Sequence, residues 1–175
     1  MTLYLIGTGL NDERDITIKG LETIKSCDEV YLENYTSLIN CSISDLEKYY
    51  GKKITIVDRK FVEQTDELVN SSKTKNIALL VIGDPFGATT HIDLMLRCKK
   101  ESVGFKIINN ASILTAIGIT GLQIYKFGKT TSIPFPDKNF RPETSYEVIK
   151  QNKILGLHTL VMLDLKPEQD KFMTV

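Results

Sequence analysis

The chain has 175 residues, of which 42% are hydrophobic and 25% are charged. This composition predicts a globular protein with a buried core, and it excludes a disordered or fibrous chain. The 22 basic and 22 acidic residues balance, which argues against nucleic acid or an anionic membrane as a partner.

Short strand-like runs recur along the first 110 residues, each followed by a helix-length interval. They are LYLIG, EVYLE, KITIVD, IALLVIG and FKIINN, at 3–7, 29–33, 53–58, 77–83 and 105–110. This rhythm is typical of βαβ units. We therefore expect an α/β fold with an open, mostly parallel five-stranded sheet flanked by helices. IALLVIG is apolar on both faces, so we expect it to be the central strand.

The intervals between these strands contain amphipathic segments with polar starts. Ser44 and Glu47 predict a capping box at the start of one helix, and Gly51 predicts its end. Thr90 is expected to open the helix after the fourth strand, because its hydroxyl can accept from free backbone N–H groups. Thr17 predicts the start of the first helix.

The pattern changes at 133–142, where IPFPDKNFRP holds three of the five prolines. We expect a linker there, between an N-terminal domain of residues 1–132 and a second α/β domain that begins at 143–175. A helix, ETSYEVIKQNKILG, and a strand, LHTLVMLDL, are predicted to open this second domain.

Few residues suggest side-chain catalysis or metal binding. Cys27, Cys41 and Cys98 are odd in number and form no C-x-x-C pair, so we expect reduced thiols and no metal site. His91, in the first turn of a predicted helix, and His158, in a strand, are both expected to be structural. No catalytic triad or carboxylate pair can be assembled from spacing, so no catalytic residue is predicted.

Small and polar residues follow three of the predicted strands, as GTGLND at 7–12, GDPFGA at 83–88 and NNASI at 109–113. Ligands of open parallel sheets bind beyond the carboxyl ends of the strands, and glycine lets a ligand approach the backbone closely. Each segment alone is compatible with a simple turn. Their joint position at three strand ends favours a ligand site.

One alternative for this site is a dinucleotide fingerprint, G-x-G-x-x-G, with Glu33 as the acid that binds the ribose. The fingerprint needs glycine at position 12, where Asp12 stands. It also needs a helix that begins at once, whereas Asp15 and Thr17 predict a later start. Two glycines alone are therefore a weak indication of dinucleotide binding.

Five stretches of the chain carry a family likeness: LYLIGTGLNDERDITIKGLE, CDEVYLENYTSL, GDPFGATTHIDL, NASILTAIGITGLQIYKFGKT and LGLHTLVMLDLK. Together they resemble the diphthine synthases, methyltransferases of the diphthamide pathway with the tetrapyrrole-methylase-like, class III fold. The resemblance implies S-adenosyl-L-methionine-dependent methylation of the amino-carboxypropyl-modified histidine of translation elongation factor 2, with S-adenosyl-L-homocysteine as product. It further implies a cytoplasmic homodimer that needs neither nucleic acid nor a membrane.

The resemblance also implies which residues contact the cofactor: Leu10, Asp84, Gly87, Ser112, Ile113 and Leu163. Most of them are small or apolar, so much of the recognition is expected from backbone groups. A sulfonium methyl group needs chiefly a well-placed nucleophile, which is consistent with the lack of an obvious catalytic set. Members of the family continue beyond the stretch matched here, so we expect only the beginning of the second domain.

Two other functions stay open from the sequence. The first is a class III methyltransferase that acts on a tetrapyrrole-type small molecule. The second is a non-catalytic module that binds elongation factor 2.

Overall fold

The computed structural model describes residues 1–87, 89–136 and 142–174. The chain divides into two compact units, Met1–Ile113 and Leu114–Val175, and each is described by itself. The division between them falls earlier than the domain end expected at residue 132. Residues 137–141 of the expected linker lie outside the described residues.

A five-stranded sheet with the order β3-β2-β4-β1-β5 forms the first unit. All four neighbouring pairs are parallel, so the predicted α/β architecture is confirmed. The strands are β1 Thr2–Gly7, β2 Glu29–Glu33, β3 Thr55–Val57, β4 Ile77–Val81 and β5 Gly104–Ile108. The helices are α1 Ile18–Ser26, α2 Ile43–Tyr50, α3 Arg59–Gln64, α4 Glu67–Ser71, α5 Ile92–Lys100 and the short α6 Ile113–Ala116, which crosses the division between the units.

Strand β4 lies at the centre of the sheet, and all of its residues are buried. Its side chains point alternately into the two hydrophobic cores on either side of the sheet. Leu79 packs with Leu3 and Leu5 on one face, and Leu80 packs with Leu32 on the other. A strand covered by helices on both faces must be apolar throughout. The prediction that this run is the central strand is confirmed.

The start of α2 differs from the prediction. The Asp45 N–H donates to Ser42 Oγ at 3.2 Å, and the Ser42 N–H donates to Asp45 Oδ2 at 3.1 Å, which completes a capping box. The prediction that Ser44 caps the helix was wrong, because Ser44 and Glu47 lie inside a helix that begins at Ile43. Both serines fit the same sequence pattern, and only the backbone conformation distinguishes them.

Two of the other predicted helix ends are confirmed. Gly51 ends α2 with a φ of 69°, a left-handed conformation that glycine adopts without a Cβ clash. Thr17 caps α1 with its hydroxyl. The predicted start of α5 was wrong: the helix begins at Ile92, and the hydroxyl of Thr90 donates to Glu63 Oε1 at 2.9 Å instead of capping it.

The second unit contains small sheets and one long helix. Strand β6, Thr131–Ile133, pairs in parallel with β7, Val161–Leu163, and α7, Thr144–Ile154, lies between them in the chain. Strands β8, Leu165–Lys166, and β9, Lys171–Phe172, form an antiparallel pair. None of the helices in the described ranges is long and apolar enough to cross a membrane.

Strand β2 ends on Glu33, a carboxyl group with no solvent exposure. Thr36 Oγ1 donates to its Oε1, whereas Oε2 has no hydrogen-bond partner among the described residues. Burial raises the pKa of Glu33 to about 7, against the opposing effects of hydrogen bonds from Thr36 and Tyr35 and of the Arg59 charge. Glu33 therefore holds its proton in the folded protein up to nearly neutral pH.

The first test concerns the capping box. Ser42→Ala removes the acceptor for the Asp45 N–H and should lower the free energy of unfolding by about 1 kcal/mol in urea titrations. Ser44→Ala is the matched control, because Ser44 lies inside the helix, and a change of at most about 0.5 kcal/mol is expected there. A larger loss for Ser44→Ala than for Ser42→Ala would contradict the assigned cap.

The second test concerns the buried carboxyl group. In the unfolded chain Glu33 loses its proton near pH 4.5, and in the folded protein near pH 7. Between these values the folded state binds more protons, so the free energy of unfolding should fall as the pH rises, by up to about 1.4 kcal/mol per pH unit. Glu33→Gln should lack this contribution. Urea unfolding across the window compares the two proteins, and parallel stability curves would refute the assignment.

Candidate functional site

The loops that follow β1, β4 and β5 meet at the carboxyl edge of the sheet. The Gly83 N–H donates to the Gly9 carbonyl oxygen at 2.8 Å, and the Gly9 N–H donates to the Gly83 carbonyl oxygen at 3.3 Å. Asn110 Nδ2 donates to the Gly7 carbonyl oxygen at 3.0 Å. We call residues 7–12, 83–87 and 109–113 the three-loop site, because hydrogen bonds of the backbone and of Asn110 join all three segments there.

The glycines of this site are required by close packing between the loops. A Cβ on Gly7 would lie 2.5 Å from the Gly83 carbonyl oxygen and 2.8 Å from Asn110 Cβ, and a Cβ on Gly87 would lie 2.4 Å from Ser112 Oγ. Packed interiors do not accept such overlaps without rearrangement. Gly83 is different: its φ is 84°, and the atom nearest to its missing Cβ is 3.8 Å away. Gly83 is therefore required by its left-handed conformation, and its buried N–H and carbonyl groups are both bonded to Gly9.

Asp84 ties the loop after β4 to the loop after β5. Its Oδ2 accepts hydrogen bonds from Asn109 Nδ2 and from the Asn110 N–H, both at 3.0 Å, and its Oδ1 accepts from the Phe86 N–H at 2.9 Å. Among the described residues, no Lys, Arg or His forms an ion pair with Asp84. The carboxylate thus organises the site and adds a negative charge that no cationic side chain offsets in the described chain.

A second carboxylate, Asp15, organises the loop after β1. Its Oδ2 accepts from the Leu10 N–H at 3.1 Å and from the Asn11 N–H at 2.8 Å, and its backbone oxygen accepts from Asn110 Nδ2 at 3.0 Å. From the sequence alone, Asp15 indicates only where α1 begins. Its role as a loop organiser depends on the fold of the loop and has no separate sequence pattern.

Five of the six predicted cofactor contacts lie on the three-loop site. Asp84, Gly87 and Ser112 lie between the loops after β4 and β5, and Leu10 and Ile113 are 40% and 42% exposed. Leu163 belongs to the second unit, where its partner in β6 is Ile133. Its part in a cofactor site stays a prediction.

The two histidines have different surroundings. His158 packs against Phe127, with ring centroids 5.4 Å apart. His91 is 2% exposed, and its Nδ1 lies 3.2 Å from the Pro85 carbonyl oxygen. Burial lowers the pKa of His91, against the effects of the Pro85 hydrogen bond and of Glu63.

Metal-binding and thiol chemistry find no support in the described ranges. No group of three or more His, Cys, Asp and Glu side chains there is arranged to hold a metal ion. Cys27, Cys41 and Cys98 are free. Burial raises the pKa of Cys27 and of Cys98 to about 11, so both are protonated, unreactive thiols at neutral pH.

The three-loop site suits a cationic nucleoside better than an anionic one. Two carboxylates, Asp15 and Asp84, stand at its edge without ion-pair partners in the described chain. Leu10 and Ile113 add exposed apolar surface. These features fit the sulfonium charge and the flat base of S-adenosyl-L-methionine.

Comparison with known proteins agrees with this chemistry. The chain is 49% identical over 170 residues to the diphthine methyl ester synthase of Schizosaccharomyces pombe, a match that covers 97% of this chain and 60% of that protein. It is 50% identical over 174 residues to the diphthine synthase of Methanococcus aeolicus, covering 98% of this chain and 68% of that protein. The chain thus spans about three fifths of the length of the fission yeast relative.

A solved structure has the same fold. A crystal structure of diphthine synthase superimposes with a TM-score of 0.89 at 41% identity, over 95% of this chain and 66% of that chain. The family model for tetrapyrrole (corrin/porphyrin) methylases matches residues 2–170. The chain therefore belongs to the tetrapyrrole (corrin/porphyrin) methylase family.

Proposed function

We propose that this protein is an S-adenosyl-L-methionine-dependent methyltransferase that modifies the amino-carboxypropyl-substituted histidine of translation elongation factor 2. The observation that carries the proposal is the three-loop site, where two carboxylates without ion-pair partners in the described chain stand near the exposed side chains of Leu10 and Ile113. The family membership and the similarity to diphthine synthases and diphthine methyl ester synthases support the same reaction.

The proposed work of the site residues is mainly to bind and orient the cofactor. Asp84 and Asp15 hold the loops in place with their hydrogen bonds, and their charges favour a sulfonium over its neutral thioether product. Leu10 and Ile113 provide apolar contacts, and Ser112 stands against Gly87, where the loops after β4 and β5 meet. When bound, the cofactor supplies an activated methyl group. Orientation of the two reactants can then contribute about 7 to 11 kcal/mol toward lowering the barrier.

Several features of the proposal concern the whole protein. We place Leu163 among the cofactor contacts, where the resemblance puts it, although it lies in the second unit. We also propose that the protein works as a homodimer in the cytoplasm, with elongation factor 2 as its protein partner and without nucleic acid.

One test addresses cofactor binding at the three-loop site. Gly87→Ala places a Cβ 2.4 Å from Ser112 Oγ, so the loops after β4 and β5 must separate. The affinity for S-adenosyl-L-homocysteine, measured by calorimetry, should fall by about tenfold. Gly51→Ala is the matched control, because Gly51 ends α2 and a Cβ there would meet nothing within 4 Å. It should lower stability and leave the affinity unchanged. Equal affinities for Gly87→Ala and the wild type would contradict the proposed site.

A second test addresses the reaction. The full-length protein is incubated with S-adenosyl-L-methionine and with elongation factor 2 that carries the amino-carboxypropyl histidine. Mass spectrometry of the peptide around this histidine should show one or more added methyl groups. Elongation factor 2 with unmodified histidine is the control and should gain none. Methylation of a tetrapyrrole instead of the factor would establish the first alternative, and a factor complex without any cofactor binding would establish the second.

A further inference from the structure

A second polar cluster lies at the same edge of the sheet, beside the three-loop site. We call Glu33, Tyr35 and His91 the acceptor cluster. Each has a buried polar atom without a hydrogen-bond partner among the described residues: Glu33 Oε2, Tyr35 OH and His91 Nε2. Glu33 is fully buried, and His91 is 2% exposed. Folded proteins pair nearly all of their buried polar groups, so an unpaired set near one strand edge indicates a binding site.

Sheet register places these residues near one another. Leu32 of β2 is level with Leu80 of β4, so Glu33 stands beside the end of β4, where the loop that carries Pro85 begins. His91 is anchored to this loop by its contact with Pro85, 3.2 Å from Nδ1 to the carbonyl oxygen. The acceptor cluster thus lies at the ends of β2 and β4, whereas the three-loop site lies at the ends of β4, β1 and β5.

Electrostatic interactions link the cluster to α3, which follows β3. Burial, followed by the Glu33 and Glu63 carboxylates, raises the pKa of Tyr35. The Glu63 carboxylate also acts on His91, where it opposes the lowering of the pKa by burial. Arg59, at the start of α3, has its guanidinium carbon 5.2 Å from the centre of the Tyr35 ring. Glu63 is therefore near both Tyr35 and His91, and one cationic side chain stands beside them.

The hydrogen-bonding state of the cluster defines the ligand that it suits. A carbonyl oxygen can only accept, so the contact with Pro85 puts the proton of neutral His91 on Nδ1 and leaves a bare lone pair on Nε2. Glu33 already accepts from Thr36 at Oε1, so its Oε2 is a second buried acceptor when the carboxyl group is ionised, the form that a bound cation favours. Two unpaired acceptors suit a ligand with several N–H donors and a positive charge, such as an ammonium group.

We propose that Glu33, Tyr35 and His91 bind the α-ammonium group of an amino-acid-like acceptor, and that Arg59 meets the carboxylate of the same acceptor. This inference rests on the proposed function, since an amino-carboxypropyl group carries both charges. Glu33 Oε2 takes the proton of the bound ammonium group: an N–H bond breaks, an O–H bond forms, and the neutral amine keeps the lone pair that it needs as a nucleophile. The proton then passes to water.

The chemistry of Glu33 suits this proton transfer. Its carboxyl group has a pKa raised to about 7 by burial, so it can take up and release a proton near neutral pH. The titratable and charged neighbours that act on it are Tyr35 and Arg59. Glutamine at position 33 keeps the shape of the side chain and removes the ability to accept a proton.

The test measures binding of the acceptor without turnover. Elongation factor 2 with the amino-carboxypropyl histidine is titrated by calorimetry into the protein loaded with S-adenosyl-L-homocysteine. Glu33→Gln, His91→Asn and Tyr35→Phe should each weaken factor binding, the first two by about tenfold or more. Asparagine at position 91 keeps a donor for the Pro85 carbonyl oxygen and lacks the Nε2 lone pair. Affinity for S-adenosyl-L-homocysteine should be unchanged in all three variants.

Tyr50→Phe is the matched control. Tyr50 also has a buried hydroxyl without a partner among the described residues, but it lies in α2, in the opposite core, so its loss should leave factor binding unchanged. If the wild type binds the factor and all three variants bind it equally well, the acceptor cluster is refuted and the proposed function stands. If the wild type binds no modified factor, the proposed function fails, and this inference fails with it.

Discussion

The structure depends on the contact between three loops around two glycines. Gly7 has no room for a side chain, because the Gly83 carbonyl oxygen and the Asn110 side chain occupy the space where one would stand. Gly87 has none, because Ser112 occupies the corresponding space. Loops that pack this closely hold one another in place, so the proposed ligand site is largely formed before a ligand binds. The parallel sheet sets the distance between the loops, so the geometry of the site depends on the packing of the buried core.

The sheet and its central strand could be predicted from the sequence. A run such as IALLV, apolar at every position, fits only a strand that is covered on both faces, and glycine after α2 indicates a left-handed helix end. The meeting of the three loops at one edge could also be predicted, because small residues at three strand ends are placed together by any parallel sheet. These inferences succeed because they depend on local composition and on a general rule of topology.

Other parts of the site could not be predicted, because they depend on tertiary contacts. Ser42 and Ser44 offer the same hydroxyl two residues apart, and the backbone decides which one caps α2. Asp84 stays a predicted cofactor contact, but its three hydrogen bonds, one within its own loop and two to the loop after β5, could not be predicted. Glu33 was considered only as a ribose-binding acid. The one indication in the sequence was a carboxylate at the end of a mostly apolar strand. The burial of Glu33 and its unpaired oxygen, which point to a functional role, can be seen only in the structure.

The loop after β4 has contacts on both sides. Asp84 fastens it to the β5 loop, and the next residue, Pro85, fastens it to His91 through its carbonyl oxygen. The two proposed sites share this short segment, so a ligand that shifts it from one side would change the affinity of the other side. Any such change must be equal in both directions. The peptide bond between Asp84 and Pro85 is where the two proposed sites would be coupled.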